Sequence, residues 1–230
     1  MLTKLFHSPL VAVVDDDELD REQLMDDLRA VDLEPYALTE RYGPDIDRMM
    51  ADIEALNTPF VICDHKLQPK RMATFAGAEV VKRLIKQRRP AMLLTMYQST
   101  NRLELRSIRH ELPVVVGRHE FDPASLDLYR SIVERDIAND PVDERKAHRV
   151  IIRVEDVVRE NEGTRIIAFV PSWSPDQAVI IPDDCVDTSM LPNVESGMYL
   201  LGDVNIGASG EDDLFFVNVN EIIPPAEVGL

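Results

Sequence analysis

The architecture of this chain follows from Val11-Ala12-Val13-Val14-Asp15-Asp16-Asp17, an apolar run that ends in three carboxylates. Consecutive apolar residues of this length are typical of a strand that is buried on both faces. A second apolar run, Phe60–Cys63, stops in the same way at Asp64. Open α/β sheets bind their ligands at the carboxyl ends of parallel strands. The two acidic strand ends therefore predict a cluster of carboxylates at one edge of a parallel sheet.

Strands and helices alternate along the first 138 residues. Besides the two strands above, apolar runs predict strands at Tyr36–Leu38, Met92–Thr95 and Pro113–Val116. Apolar residues at helical spacing predict helices near Leu24–Val31, Ile46–Ile53, Val80–Ile85, Arg102–His110 and Leu126–Ile137. Parallel strands joined by right-handed helical crossovers form a doubly wound sheet. We therefore predict an α/β domain with a five-stranded parallel sheet over residues 1–138.

The pattern changes after residue 148. Residues 139–148 are polar and charged, which is typical of a linker. Beyond them, β-branched and aromatic runs alternate with turn residues, and no long helical period occurs. We expect about five strands there, near Val150–Val154, Arg165–Val170, Ala178–Ile181, Met198–Leu201 and Leu214–Val219. Residues 149–230 are thus predicted to form a small all-β barrel or sandwich.

The charge of the chain restricts its partners. The formal net charge is -17, and residues 149–230 alone carry four Arg, no Lys and 15 Asp plus Glu, a net of -11. A surface that binds nucleic acid needs a basic stripe, and an anionic membrane repels acidic surfaces. We therefore expect no nucleic acid and no membrane among the partners. The two cysteines form no disulfide framework and no segment approaches a membrane span or a signal peptide, so we expect a cytoplasmic protein.

The predicted acidic edge suggests a metal site. Asp15, Asp16, Asp64 and Thr95 all fall at carboxyl ends of predicted strands. Crowded carboxylates repel one another, so such a cluster usually holds a hard cation such as Mg²⁺. An Asp between a strand and a helix is also a common helix cap, and the pairing with Asp64 favours the metal interpretation. We expect surface positions for histidines that lack ligand spacing, namely His65, His110, His119 and His148.

Residues 9–138 resemble a response-regulator receiver domain, the phospho-acceptor module of two-component signalling. The resemblance covers slightly more than half of the chain and rests on order and spacing rather than on one specific motif. The residues that carry it are Val13–Asp17, Ile62–Asp64, Leu93–Thr95 and Val115–Arg118.

The resemblance implies a role for each residue of the predicted edge. Asp64 would accept a phosphoryl group from a histidine kinase or a phosphotransfer protein. Asp15, Asp16, Asp64 and the backbone carbonyl of Lys66 would hold Mg²⁺, and Thr95 would hydrogen-bond the phosphoryl oxygens. These roles agree with the chemistry, since phosphoryl transfer depends mainly on positioning and charge neutralisation. A phosphoryl group also adds charge and strong acceptors at one point, which suits a switch.

The chain departs from the family pattern at three places. The family has a Lys after the fifth strand, where this chain has Arg118, which is either a phosphate contact or a solvated charge. The loop His65–Ala76 is long and basic, and it could supply a substitute cation or a docking surface. Met96 is large where the family prefers a small residue, and it could narrow access to Asp64.

Three hypotheses follow for the function. The first is a receiver-type signalling protein, not an enzyme, whose β domain contacts a protein partner and for which a homodimer is a candidate assembly. The second is a degenerate receiver that serves as an adaptor or scaffold without phosphotransfer. The third, a magnesium-dependent phosphatase, usually needs a second Asp two residues after the nucleophile, and that position here is Lys66.

Overall fold

The computed structural model describes residues 9–96, 104–160 and 163–223. The chain divides into two compact units. The first consists of Met1–Tyr97 and Glu111–Asp140, and the second consists of Gln98–His110 and Pro141–Leu230. Of the segment between the two parts of the first unit, the described residues 104–110 thus belong to the second unit.

The first unit is a doubly wound α/β fold. Its described elements are β1 (Leu10–Val14), α1 (Glu18–Arg29), β2 (Glu34–Leu38), α2 (Ile46–Ala55), β3 (Phe60–Asp64), α3 (Gly77–Lys86), β4 (Ala91–Thr95), β5 (Val115–Gly117) and α4 (Leu126–Ile137). The five strands are parallel and lie in the order β2-β1-β3-β4-β5. The predicted five-stranded parallel sheet is confirmed.

Burial explains why the central strands are continuous apolar runs. Every residue of β3 and β4 is buried, and β1 is buried from its second residue onward. One face of these strands packs against Leu24 and Leu28 of α1 and Val133 of α4. Each large apolar side chain buried in this way contributes roughly 1.5–3 kcal/mol. The edge strand β2 instead alternates between exposed and partly buried residues until Leu38.

The loop between β1 and α1 is short because Asp17 caps the helix. The Asp17 carboxylate accepts hydrogen bonds from the N–H groups of Leu19 and Asp20, at 3.0 and 3.3 Å. These bonds satisfy donors that the first turn of a helix leaves without a partner. Asp15 and Asp16 are therefore held between the end of β1 and the start of α1.

The predicted helix Arg102–His110 lies only partly within the described residues. Residues 102 and 103 lie outside them. Residues 104–106 are helical, and a 3-10 helix follows at Arg109–Glu111.

The second unit is built around one antiparallel sheet. Its strands are β6 (His148–Glu160), β7 (Gly163–Val170), β8 (Ser174–Pro182), β9 (Tyr199–Val204) and β10 (Phe216–Ile223). Their order is β10-β9-β6-β7-β8. The predicted small all-β fold is confirmed. β8 and β10 are the sheet edges, and the chain just after β8 meets β10 at the isolated bridge Val186–Val219.

The long strand β6 serves both halves of this sheet. Residues His148–Arg153 pair with β9, and residues Arg153–Glu160 pair with β7. A bulge between Val154 and Asp156 shifts the register, which bends the strand and increases its twist. The bend lets the apolar side chains of both halves share one core. None of the helices in the described ranges combines the length and the apolar character needed to span a bilayer.

The segment that precedes β6 is also part of the second unit. Asp143–Arg145 forms a 3-10 helix, and Arg145 is buried. The Arg145 guanidinium donates to the carbonyl of His110 at 3.0 Å and lies 5.4 Å from the centre of the Phe215 ring. This stretch of the polar segment 139–148 is therefore held by specific contacts.

Candidate functional site

Three carboxylates meet at the carboxyl edge of the parallel sheet. Asp15 follows β1 directly and Asp64 is the last residue of β3, two strands that pair at Val14–Cys63. One carboxylate oxygen each from Asp15, Asp16 and Asp64 can be chosen so that all three lie within 4.8 Å of one another. Asp15 and Asp64 are buried, and Asp16 is half-buried. The structure thus brings together the three side chains that were predicted to hold a metal.

Arg118 lies inside this cluster rather than on the surface. It follows β5 directly, and its side chain is 17% exposed. Nη2 donates to Asp15 Oδ2 and, at 3.0 Å, to Asp64 Oδ1. Nη1 donates to the carbonyl of Asp20 at 3.4 Å. One guanidinium nitrogen therefore bridges the two buried carboxylates.

Backbone N–H groups orient the remaining oxygens of these carboxylates. The N–H of Asp17 donates to Asp15 Oδ1 at 2.9 Å, and the N–H of Lys66 donates to Asp64 Oδ2 at 2.8 Å. Hydrogen bonds to the ionised form of a carboxylate stabilise it. Both carboxylates are consequently fixed from two sides, by the backbone and by Arg118.

The long loop after β3 contacts the third carboxylate. The N–H of Lys70 donates to Asp16 Oδ2 at 2.6 Å, and Lys70 Nζ lies 3.5 Å from Asp17 Oδ2. The backbone of Arg71 takes a left-handed conformation, with φ at 62°. The loop therefore reaches the site through the backbone of Lys70 and through a largely exposed ammonium group. It borders an open groove of about 450 Å³ whose lining includes Asp16, Asp17, Arg21, Glu40, Arg41 and Lys70.

Thr95 places a hydroxyl at the same edge of the sheet. It is the last residue of β4, and Asp64 pairs with its neighbour Leu94. Thr95 is 1% exposed, and within the described part of the chain its Oγ1 has no hydrogen-bond partner. Such a group is costly to bury and usually indicates a missing water, ion or ligand. Met96, the next residue, is 53% exposed.

The electrostatics of the site reflect burial and mutual contact. Burial raises the pKa of Asp15 to about 6, with a further increase from Asp64 and a partial decrease from Arg118. Burial likewise raises the pKa of Asp64, although Arg118 and the N–H of Lys66 oppose it. Burial acts to lower the pKa of Arg118, but the two carboxylates outweigh it and the pKa lies above its usual value. Arg118 is therefore the charge that compensates this cluster.

Comparisons with known proteins give similarity to solved structures alone, since no protein-family model and no curated protein matches the chain. The signal receiver domain of an HD domain-containing protein from Pseudomonas fluorescens Pf-5 aligns at 13% identity over 60% of this chain and 96% of its own, with a TM-score of 0.45. The receiver domain of NtrX from Brucella abortus aligns at 18% identity over 54% and 98%, with a TM-score of 0.41. The chemotaxis response regulator CheY4 of Vibrio cholerae aligns at 18% identity over 54% and 97%, with a TM-score of 0.39.

The strand order identifies the fold independently of these alignments. A parallel sheet in the order 2-1-3-4-5 is the flavodoxin-like order found in flavodoxin and in CheY. The first unit has this flavodoxin-like fold. Its ligand edge lies at the carboxyl ends of the strands, where Asp15, Asp16, Asp64 and Thr95 lie.

The donor set at this edge of the first unit fits Mg²⁺. Three carboxylates offer the hard oxygen ligands that Mg²⁺ prefers, and the ion tolerates a site completed by water. Asp15 Oδ2 and Asp64 Oδ1 are the oxygens that Arg118 already holds. A bound ion and the guanidinium would therefore compete for the same two atoms. The carbonyl of Lys66 remains a predicted ligand.

Sequence reasoning overlooked two residues that shape this edge of the first unit. A Cβ on Gly77 would lie 1.8 Å from the carbonyl oxygen of Asp64, so only glycine lets α3 begin against the end of β3. His65 was predicted at the surface, but it is buried. Its N–H donates to the carbonyl of Leu94 and its carbonyl accepts from the N–H of Gly77, each at 2.9 Å. One signal in the sequence could have indicated the contact between α3 and β3, namely that Gly77 begins the helix that follows the strand ending at Asp64.

Proposed function

We propose that the first unit is a receiver-type signalling switch that accepts a phosphoryl group on Asp64. The donor would be a histidine kinase or a phosphotransfer protein. The observation that carries this proposal is that three carboxylates meet at one edge of the sheet. Thr95, at the end of β4, lies at the same edge, and its hydroxyl has no partner within the described residues. Phosphoryl transfer to Asp64 would use both kinds of group. The carboxylates would hold a divalent ion, and the hydroxyl would donate a hydrogen bond to the phosphoryl group.

The transfer step follows from the chemistry of the carboxylate. An oxygen of Asp64 attacks phosphorus, the P–N bond of the phosphohistidine breaks, and the imidazole that leaves takes up a proton. Mg²⁺, when bound, would neutralise the charge of the phosphoryl oxygens. Asp15 and Asp16 would orient that ion, and the N–H of Lys66 holds the other oxygen of Asp64 in place. The Thr95 hydroxyl would then donate to a phosphoryl oxygen.

Arg118 sets the condition for this step. Its Nη2 holds Asp64 Oδ1 and Asp15 Oδ2 in the same interaction. For Asp64 to attack through Oδ1, the guanidinium has to release that oxygen. Because an Arg side chain is long and flexible, it could then contact the phosphoryl group through another nitrogen.

The same ion pairs support a second candidate, a degenerate receiver that works as an adaptor. A resident guanidinium neutralises Asp15 and Asp64 without any metal. In that case the fold would persist while phosphotransfer would not occur. The two candidates differ in one property, namely whether Arg118 gives way to Mg²⁺ and a phosphoryl donor.

The second unit would supply the output through protein contacts. Residues 149–230 carry a net charge of -11, which disfavours binding to nucleic acid. In this proposal the protein is a phospho-acceptor in a cytoplasmic signalling pathway and not an enzyme that turns over a substrate.

The two candidates are separated by intact-mass spectrometry of the full chain after incubation with acetyl phosphate and Mg²⁺. A labile adduct of one phosphoryl group that is absent in Asp64→Asn supports the switch. The matched control is Asp47→Asn, which makes the same chemical change at an exposed carboxylate. An adduct that appears only in Arg118→Ala supports the adaptor, with Arg118 as the block. No adduct in either protein, together with no affinity for Mg²⁺, rejects the switch.

A further inference from the structure

The antiparallel sheet of the second unit has one face that packs on the core and one face that is open. Ile152 of β6 and Leu200 of β9 belong to the core and are fully buried. Because side chains alternate along a strand, their neighbours Ile151 and Leu201 point to the opposite face. Ile151 is 39% exposed and Leu201 is half-buried. The open face therefore presents large apolar side chains to solvent, which is typical of an interaction surface when such side chains adjoin.

The centre of this open face is a stripe of six residues on the adjacent strands β6 and β9. Paired residues of antiparallel strands lie side by side on one face, with their Cβ atoms ~5 Å apart. The stripe has three such pairs, namely an ion pair, two aliphatic side chains, and a guanidinium beside an aromatic ring. These pairs are Arg149–Asp203, Ile151–Leu201 and Arg153–Tyr199. Each strand thus carries the chemical complement of its neighbour.

The charged members of the stripe are ordered on the surface. Arg149 Nη1 lies 3.7 Å from Asp203 Oδ1, and their side chains are 39% and 27% exposed. The Arg153 guanidinium lies 4.7 Å from the centre of the Phe169 ring, which belongs to the same face on β7. Contacts of this kind hold the two arginines against the sheet while leaving them accessible to a partner.

The charge of the stripe differs from that of the unit around it. Arg149 and Arg153 outnumber Asp203, so the net charge of the stripe is +1, whereas residues 149–230 as a whole carry a net of -11. Two of the four arginines in that range lie in the stripe. A partner that is itself acidic, such as a second copy of this chain, is repelled by the rest of the range but not by the stripe.

One symmetry operation makes the stripe complementary to itself. A two-fold axis that runs along the strands, midway between β6 and β9, places β6 of one copy over β9 of a second copy. Ile151 then faces Leu201 of the second copy, and Arg149 faces Asp203 of the second copy. Each contact occurs twice, as in any isologous interface. The strands of the two sheets stay roughly aligned, which is a common way for sheets to pack face to face.

We propose that the chain forms a homodimer through the stripe on β6 and β9. The two open faces pack on each other and remove Ile151 and Leu201 of both copies from water, which drives the association. The pairs of Arg149 with Asp203 of the second copy fix the register of the two sheets. The interface uses neither the carboxylates of the first unit nor Mg²⁺, so it is independent of the function proposed for Asp64.

Sedimentation velocity of the full chain over a range of concentrations tests the dimer. Ile151→Glu places a charge at the centre of the interface, at a position that is exposed in the free monomer. The matched control is Leu128→Glu, the same kind of change at an apolar side chain of α4 that is 60% exposed. We expect Ile151→Glu to raise the dissociation constant of the dimer about tenfold or more, and Leu128→Glu to leave it unchanged. A parent protein that sediments as a monomer at every concentration overturns the proposal, and so does an equal loss in the control.

A mixing experiment tests the two-fold arrangement itself. Arg149→Glu and Asp203→Arg each place like charges opposite each other in a homodimer, so each variant alone should be largely monomeric. A dimer of one Arg149→Glu chain with one Asp203→Arg chain again has opposite charges at both contacts. Dimers should therefore reappear in an equal mixture of the two variants. Because mixing cannot repair a folding defect, a mixture as monomeric as its components, with all chains folded by circular dichroism, overturns the proposed interface.

Discussion

Replacing Arg118 by Gln should destabilise the protein at neutral pH, and Mg²⁺ should repair the loss. Nη2 of Arg118 lies 3.0 Å from Asp64 Oδ1 and also contacts Asp15. At an effective dielectric constant of about 20, a pair at this distance attracts by roughly 5 kcal/mol. Removing one partner of a buried ion pair typically costs about 3–5 kcal/mol. Because the Arg118 side chain keeps 17% exposure, we expect a loss near the lower end, about 3 kcal/mol.

The assay is urea unfolding of the full chain at pH 7.5 with and without Mg²⁺. In Arg118→Gln the vacated oxygens of Asp15 and Asp64 become available to the ion. Mg²⁺ at 100 times its dissociation constant adds about 2.7 kcal/mol, so most of the loss should be recovered. In the parent protein the ion has to displace the guanidinium, and the same concentration should add less. At pH 5 the loss itself should be smaller, because Asp15 is then largely protonated.

The control is Arg29→Gln, which breaks an exposed pair with Asp26 and should cost about 0.5 kcal/mol or less. The reasoning is refuted if Arg118→Gln loses no more stability than this control. It is also refuted if Mg²⁺ stabilises the parent protein more than it stabilises Arg118→Gln.

Three further perturbations follow from the geometry of the site. The pKa of Asp15 is about 6 in the folded protein against an ordinary 3.8, so the folded state binds an extra proton between these values. The metal-free protein should therefore lose roughly 3 kcal/mol of unfolding free energy as the pH rises from about 3 to about 7, and Asp15→Asn should lack this slope in denaturant titrations. Gly77→Ala would place a Cβ 1.8 Å from the carbonyl oxygen of Asp64, so we expect a loss of about 3 kcal/mol or more in urea unfolding. Gly210→Ala is the control, because its new Cβ would have no neighbour within 4 Å in the described part of the chain. The urea concentration at the midpoint of its unfolding should stay near that of the parent protein. Thr95→Val removes a buried hydroxyl that has no partner within the described residues, so it should raise the melting temperature of the unphosphorylated protein while shortening the lifetime of any adduct on Asp64. A lower melting temperature would contradict this account of Thr95.

Much of the α/β fold of the first unit was predictable because its signals are local. The runs of β1, β3 and β4 have no polar residue before the carboxyl end of the strand, so burial on both sides was the simplest interpretation. Strand ends that carry Asp15 and Asp64 then had to meet at one edge, because parallel strands share a direction. The five strands of the second unit were predictable for the same reason, from alternation and turn residues.

The contacts of the arginines were not predictable in this way. An Arg in a sequence usually indicates a solvated surface, since its side chain is rarely buried without a partner. Arg106 and Arg109 are buried in ion pairs with Glu211 and Asp213, and these partners lie about a hundred residues further along the chain. Arg118 follows the end of β5, and from the sequence its side chain could point either outward to solvent or inward to the carboxylates. Such contacts are tertiary, and periodicity carries no information about them.

Two backbone hydrogen bonds between Gly43 and the loop after β3 have a consequence for digestion by trypsin. Lys70 and Arg71 offer two adjacent cleavage sites, yet the carbonyl of Met72 accepts from the N–H of Gly43 at 3.1 Å. The N–H of Thr74 donates back to the carbonyl of Gly43 at 2.8 Å. A protease needs several residues of free, extended chain, so trypsin can cut here only after these hydrogen bonds break. The rate of tryptic cleavage in this loop thus measures how often the loop leaves the sheet edge. An ion bound by the Asp16 carboxylate should lower that rate.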